Sequence, residues 1–240
     1  IQFTKRIRFI FGTDEETLWR CMNRYNQIEE QADLGFAPDS SFPLTYAEKG
    51  LLQVKLHGPG WDDLPLQAGQ ALNVVPDKAT YAGHRLEELL PVLDQSGVQY
   101  SQTADSVTVL GVSKHSKDAT EGVNAIVGLA ESLSLIQPHP ALLFIADAVG
   151  EDATGEALFG KITDEPSGDL SFNLATLVID QEQSEIGIDI RIPVLADKDA
   201  LVARLQEIAA SYQLEYEEFD YLAPLYVPLD SPLVSSLMAV

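Results

Sequence analysis

The sequence predicts an α/β layer carrying an inserted α+β domain made of two related sheet-and-helix halves. Three observations lead there. An apolar stretch at 6–11, rich in β-branched and aromatic residues, runs straight into the acidic turn Gly12-Thr13-Asp14-Glu15-Glu16-Thr17 and then into a helical segment, which is how a β-α-β unit opens. The texture changes near Ala47, where strands and amphipathic helices begin to alternate. A strand-strand-helix-strand order then occurs twice between 47 and 226, each time as a sheet with helices on one face.

The elements follow in order. Acidic residues at the start of the segment 16–31 suit a helix N-terminus, where the dipole favours negative charge. A short strand at 34–36 ends at Ala37-Pro38-Asp39. Strands are expected at 51–56 and 71–76, and a helix over 84–95 with Leu86, Leu89, Leu90 and Leu93 at helical spacing. Strands at 98–101 and 106–110 flank a turn, and a helix at 121–136 buries Val123, Ile126, Val127, Leu129, Leu133 and Ile136. The stretch 137–169 is irregular around a short apolar run at 141–146. A hairpin of 171–179 and 185–193, a helix at 199–212 and a strand at 214–219 complete the second group. The expected domains are 1–46, 47–226 (with halves of about 47–137 and 138–226) and a return to the first domain at 227–240. Both ends read as interrupted elements, so the chain is expected to be a fragment of a longer protein.

Composition narrows the function. The 240 residues are 45% hydrophobic, enough for a proper core. The net charge of −22 comes from 37 acidic against 15 basic residues, a surface that repels nucleic-acid phosphates and anionic membranes. No apolar run is long enough to span a bilayer. The single cysteine, Cys21, excludes an internal disulfide and reads as a structural thiol on a helix face. A reducing, cytoplasmic setting is expected.

Asp14, Glu15 and Glu16 lie at a strand-to-helix turn, and Asp39 follows the next short strand. Ligands of open α/β sheets bind at the carboxyl ends of strands. Carboxylates gathered there repel one another unless a cation or a shared proton holds them. An acidic first helical turn is the plain alternative. His115, between a strand and a helix, is either an exposed loop histidine or an imidazole that donates to an oxyanion. Asn73 reads as a turn or edge residue. Arg191 interrupts an apolar strand and needs a partner; a substrate carboxylate is one candidate, Asp189 or Glu185 another. His57, His84 and His139 read as surface residues.

In combination these motifs resemble a known family. Gly12-Thr13-Asp14-Glu15-Glu16, Ala37-Pro38-Asp39, Asn73-Val74-Val75-Pro76-Asp77, Gly111-x-x-x-His115-Ser116 with Gly122-Val123-Asn124-Ala125, and Asp189-Ile190-Arg191 occur in the order found in di-zinc metallopeptidases: the aminoacylases, carnosinases and glutamate carboxypeptidases. The Trp19-Arg20-Cys21-Met22 continuation and the long second domain are similar to the PepV-type, carnosinase-like dipeptidases. The resemblance implies a partial zinc-peptidase catalytic domain with an inserted lid domain, and hydrolysis of dipeptides with a free N-terminus. It implies Glu15 as general base, Glu16 and Asp39 as ligands to the two zinc ions, His115 as the oxyanion donor from the lid, and Asn73 and Arg191 as substrate-binding residues.

The family also uses a histidine and a bridging aspartate upstream of the acidic block and a further histidine near its C-terminus, none of which lies in this chain. The expectation is therefore an inactive piece of a monomeric enzyme. Two alternatives stand beside it. One is an aminoacylase- or carboxypeptidase-type amidohydrolase; the other is a non-catalytic association module.

Overall fold

The structure, a computed structural model, describes residues 5–13, 19–39 and 42–239. The chain divides into two compact units, Thr45–Ser231 and a smaller one of Ile1–Leu44 with Pro232–Val240. The larger unit is mixed α/β. Its strands of three or more residues are β1 (Gly50–Pro59), β2 (Leu66–Ala68), β3 (Lys78–Tyr81), β4 (Tyr100–Gln102), β5 (Val107–Leu110), β6 (Ser171–Ile179), β7 (Gln183–Ile192) and β8 (Glu215–Leu222). The smaller unit contains the helix α1 (Arg20–Ile28). The larger unit adds α2 (Leu86–Ser96), α3 (Ala125–Ser134) and α4 (Lys198–Ser211), and α5 (Pro232–Met238) returns to the smaller unit.

Five strands form one antiparallel sheet in the order β8-β1-β7-β6-β2. Strand period 2 sorts its side chains. Leu52, Val54 and Leu56 of β1, Ile186, Ile188, Ile190 and Ile192 of β7, and Phe172 and Leu174 of β6 enter the hydrophobic core. The alternate positions, including Gln53, Lys55, Asp189, Arg191, Ser171 and Asn173, occupy the opposite face. That face is partly covered by a 3₁₀ turn at Ser116–Glu121. The strands β3, β5 and β4 form a second, three-stranded sheet.

The halves 47–137 and 138–226 are not separate sheets: β1 and β2 come from the first, β6, β7 and β8 from the second, and all five share one hydrogen-bonded ladder. The reason lies in β1. Ten residues long, it pairs with β7 on one side and β8 on the other, which satisfies its backbone groups along both edges.

Several expected elements differ in detail. The hairpin appears as β6 and β7, close to its expected bounds. The stretch 71–76 is instead a turn at Leu72–Asn73 followed by one isolated bridge, Val74 to His115. The helix expected from 121 begins at Ala125, because the Asn124 side chain caps it. The apolar run at 141–146 is helical, a turn at Pro140–Leu143 passing into a π-helix at Phe144–Val149. His139, expected at the surface, is fully buried. It caps that helix, its Nδ1 accepting from the Ala141 N–H at 3.2 Å, and its Nε2 is 3.0 Å from the Pro59 carbonyl.

In the smaller unit neither 6–11 nor 34–36 has a ladder partner among the described residues, so neither is a strand. A strand exists only where a neighbour takes its backbone groups. Arg6 instead pairs with Glu30 at 2.5 Å, and Arg8 donates to the Tyr25 hydroxyl at 2.5 Å. Phe9 and Phe11 are 80% and 89% exposed. No helix among the described residues is long and apolar enough to cross a membrane.

Candidate functional site

Three of the singled-out residues, Asn73, His115 and Arg191, are drawn together on the polar face of the large sheet. The segments 73–75 and 114–116 are clipped antiparallel. Ser116 N–H donates to the Asn73 carbonyl at 2.9 Å, Val75 N–H donates to the Lys114 carbonyl at 2.8 Å, and Val74 faces His115 between them. Two glycines lie at this packing. A Cβ on Gly187 of β7 would meet Leu72 Cδ2 at 2.7 Å and Thr176 Oγ1 at 2.3 Å. A Cβ on Gly111 would lie 2.1 Å from the Val123 carbonyl oxygen, where 112 and 123 bridge. The approach at Gly111 is to backbone and far inside van der Waals contact, so only glycine leaves these two segments this close.

His115 precedes the 3₁₀ turn, and its Nδ1 accepts from the Lys117 N–H at 3.2 Å. A neutral ring that accepts at Nδ1 carries its proton on Nε2. Partial desolvation, reinforced by the nearby Arg191 guanidinium, lowers its pKa below the ordinary 6.5. His115 is thus held neutral near pH 7 with Nε2–H available to donate. Its residue surface is exposed, as is that of Asn73.

Arg191 forms a side-on pair with the fully buried Asp189, Nε to Oδ1 at 2.8 Å and Nη2 to Oδ2 at 3.2 Å. Gln53 Nε2 donates to the same carboxylate at 2.9 Å. A buried carboxylate is tolerable when paired and hydrogen-bonded in this way. Arg191 Nη2 also donates to Ser116 Oγ at 3.1 Å, which ties the guanidinium to the residue after His115. Nη1 has no partner among the described residues, and the side chain is 20% exposed. Of the two internal candidates, Asp189 is therefore the partner; Glu185 pairs with Lys55 at 3.1 Å.

The other candidates lie elsewhere. Asp39 is an exposed residue of the smaller unit. Asp14, Glu15 and Glu16 lie outside the described residues. Among the described residues no group of three or more His, Cys, Asp or Glu side chains stands where it could hold a metal ion, so they do not by themselves fit a metal centre. His57 is half-buried beside Glu217, 2.7 Å from its carboxylate, and His84 is exposed.

Four residues of the site are absent from the sequence-level set: Gln53, Ser116, Ser171 and Asn173. Ser116 and Asn173 are buried, and Ser171 donates to the Ser116 carbonyl. The signal for Ser171 and Asn173 is the one that marks Arg191, a polar residue in a strand of otherwise apolar residues.

Comparison with known proteins adds relatives. No family model matches the chain. The chain is similar over its whole length to "Putative dipeptidase YtjP" of Bacillus subtilis, 33% identical over 263 residues that make up 56% of that protein. "Putative dipeptidase" proteins of Staphylococcus haemolyticus and Staphylococcus aureus are 29% and 31% identical over 99% of this chain and 56% of theirs. The chain is thus similar to these proteins over essentially its whole length, and it spans about half the length of the curated relatives it matches. A solved aminoacylhistidine dipeptidase from Vibrio alginolyticus matches with a TM-score of 0.36 and 11% identity, over 79% of this chain and 47% of that one. A likeness of that degree carries no argument about the site.

Proposed function

We propose that the chain is part of a zinc-dependent dipeptidase, and that its larger unit is the lid that binds the substrate's carbonyl and carboxylate. The observation that carries this reading is the joining of a neutral histidine donor, an exposed asparagine and a braced arginine through Ser116. The relatives' names agree with dipeptide hydrolysis.

Each residue has a distinct task. His115 Nε2–H donates to the scissile carbonyl oxygen as it gains negative charge. Such a donor is worth roughly 10²–10³ in rate when it meets the oxyanion. Arg191, its Nε and Nη2 held by Asp189, offers Nη1 to the substrate's C-terminal carboxylate, and Asn73 binds beside it. Glu15 takes a proton from the attacking water and returns it to the leaving amine. Glu16 and Asp39 would each supply one zinc ligand. Zinc bound there would lower the pKa of water toward ~7. Two protein ligands do not complete a shell, so the 240 residues alone are proposed to be inactive.

In the full-length protein, Glu15→Gln is expected to lower kcat on a dipeptide by at least ~10²-fold with the fold intact, as for removal of a general base. Wild-type kcat in that variant would overturn the assignment. The amidohydrolase alternative differs in substrate, and preferential turnover of N-acyl amino acids over free dipeptides would favour it.

A further inference from the structure

We infer that Asn173 is the positioning residue of this clip, fixing the turn that carries Asn73 and, through the Val74–His115 bridge, the imidazole of His115. The inference rests on the functional reading above and adds a residue to it.

Asn173 lies on β6, opposite Asp189 of β7, and is 1% exposed. Its Nδ2 donates to two carbonyls, those of Leu72 and Val74, each at 3.0 Å. These are the carbonyls on either side of Asn73. An amide nitrogen has two hydrogens, so this pair uses both. The orientation follows: a flipped amide would set Oδ1 against two carbonyl oxygens. Oδ1 is left buried and without a partner among the described residues. A buried, unpaired acceptor is unfavourable, and an apolar side chain at this position would avoid it. What the amide alone provides is the pair of donors to the 72–74 turn.

That turn has few other ties. Its own bond, Val74 N–H to the Ala71 carbonyl, is long at 3.4 Å. The remaining bonds from 73 and 75 run to 116 and 114, so they couple the turn to the His115 segment without anchoring either to the sheet. Asn173 ties the turn to the sheet at one end of the clip, and Ser171, two residues earlier on the same strand, ties the Ser116 carbonyl at the other. Asn173 is buried and does not meet substrate; it acts through Asn73 and His115. A displacement of about 1 Å in a reacting group can cost on the order of 10²-fold in rate, so loosening this anchor has a kinetic consequence.

The test measures kcat/KM for a dipeptide in the full-length protein, with Asn173→Ala made in the wild type and in the Asn73→Ala/His115→Ala double variant. Residues acting as one unit are non-additive. The expected result is a loss of at least about tenfold in the wild type and under about twofold in the double variant, with Asn173→Ser, which keeps one donor, in between. Should Asn173→Ala fail to fold, as judged by circular dichroism, Asn173→Ser is compared across the same two backgrounds. An equal loss in both backgrounds, or none in the wild type, overturns the role of Asn173. If Asn73→Ala and His115→Ala both leave hydrolysis unchanged, it is the functional reading that falls.

Discussion

His115 and His139 are two histidines with the same hydrogen-bonding logic and different surroundings. Each uses Nδ1 to accept a backbone N–H two residues on, and so keeps its proton on Nε2. His139 spends that proton on the Pro59 carbonyl inside the core, whereas His115 has an exposed surface on which to present it. Burial lowers the His139 pKa below 6.5, the bond to the Pro59 carbonyl opposing it. The folded state therefore resists protonation while the unfolded chain accepts it. Between the lowered value and 6.5 the unfolded state binds more protons, and stability falls as pH drops through that window. Thermal unfolding of the wild type is expected to weaken from pH 7 to pH 5, and His139→Asn, which can still cap a helix, to flatten that slope. Superimposable pH profiles would contradict the role.

At the scale of elements, α3 is set by Asn124. Its Oδ1 accepts from Ile126 and Val127 N–H at 3.0 and 3.3 Å, and its Nδ2 donates to the Leu174 carbonyl of β6 at 2.6 Å. One side chain thus starts the helix and fastens it to the sheet. Asn124→Ala is expected to cost about 1–2 kcal/mol, and Asn124→Asp, which keeps the cap but loses the donor, less; urea midpoints read both. An alanine variant as stable as the wild type would contradict this. Local pattern made the long elements legible: β7 places Ile186, Ile188, Ile190 and Ile192 at every second position, and α4 repeats Leu201, Leu205 and Ala209 on its buried face. It could not reveal the turn at 72–74, because Asn73-Val74-Val75 has strand-like composition while its backbone bonds go to a segment forty residues away. Nor could it reveal that 6–11 lacks a ladder, since strand pairing depends on neighbours and not on propensity.

For the whole molecule, topology decides what sequence order hides. The polar face of one sheet gathers Arg191 and Asp189 from β7, Asn173 and Ser171 from β6 and Gln53 from β1, with the 72–75 and 114–116 segments laid over it. Arg191 is readable as a candidate because it interrupts an apolar strand, and His115 because it lies between a strand and a helix. Their joining through Ser116 is not, because it depends on the strand order β1-β7-β6. The acidic block at 14–16 lies outside the described residues.

Arg191, braced by Asp189, is proposed to capture a carboxylate while His115 polarises the neighbouring carbonyl. The most direct measurement compares kcat/KM of the full-length protein on a dipeptide and on its C-terminally amidated analogue, for the wild type and for Arg191→Ala. The wild type should prefer the free carboxylate by at least about tenfold, and Arg191→Ala should lose that preference chiefly through a raised KM. Equal activity of the wild type on both compounds, or an Arg191→Ala variant that keeps the preference, would contradict the account.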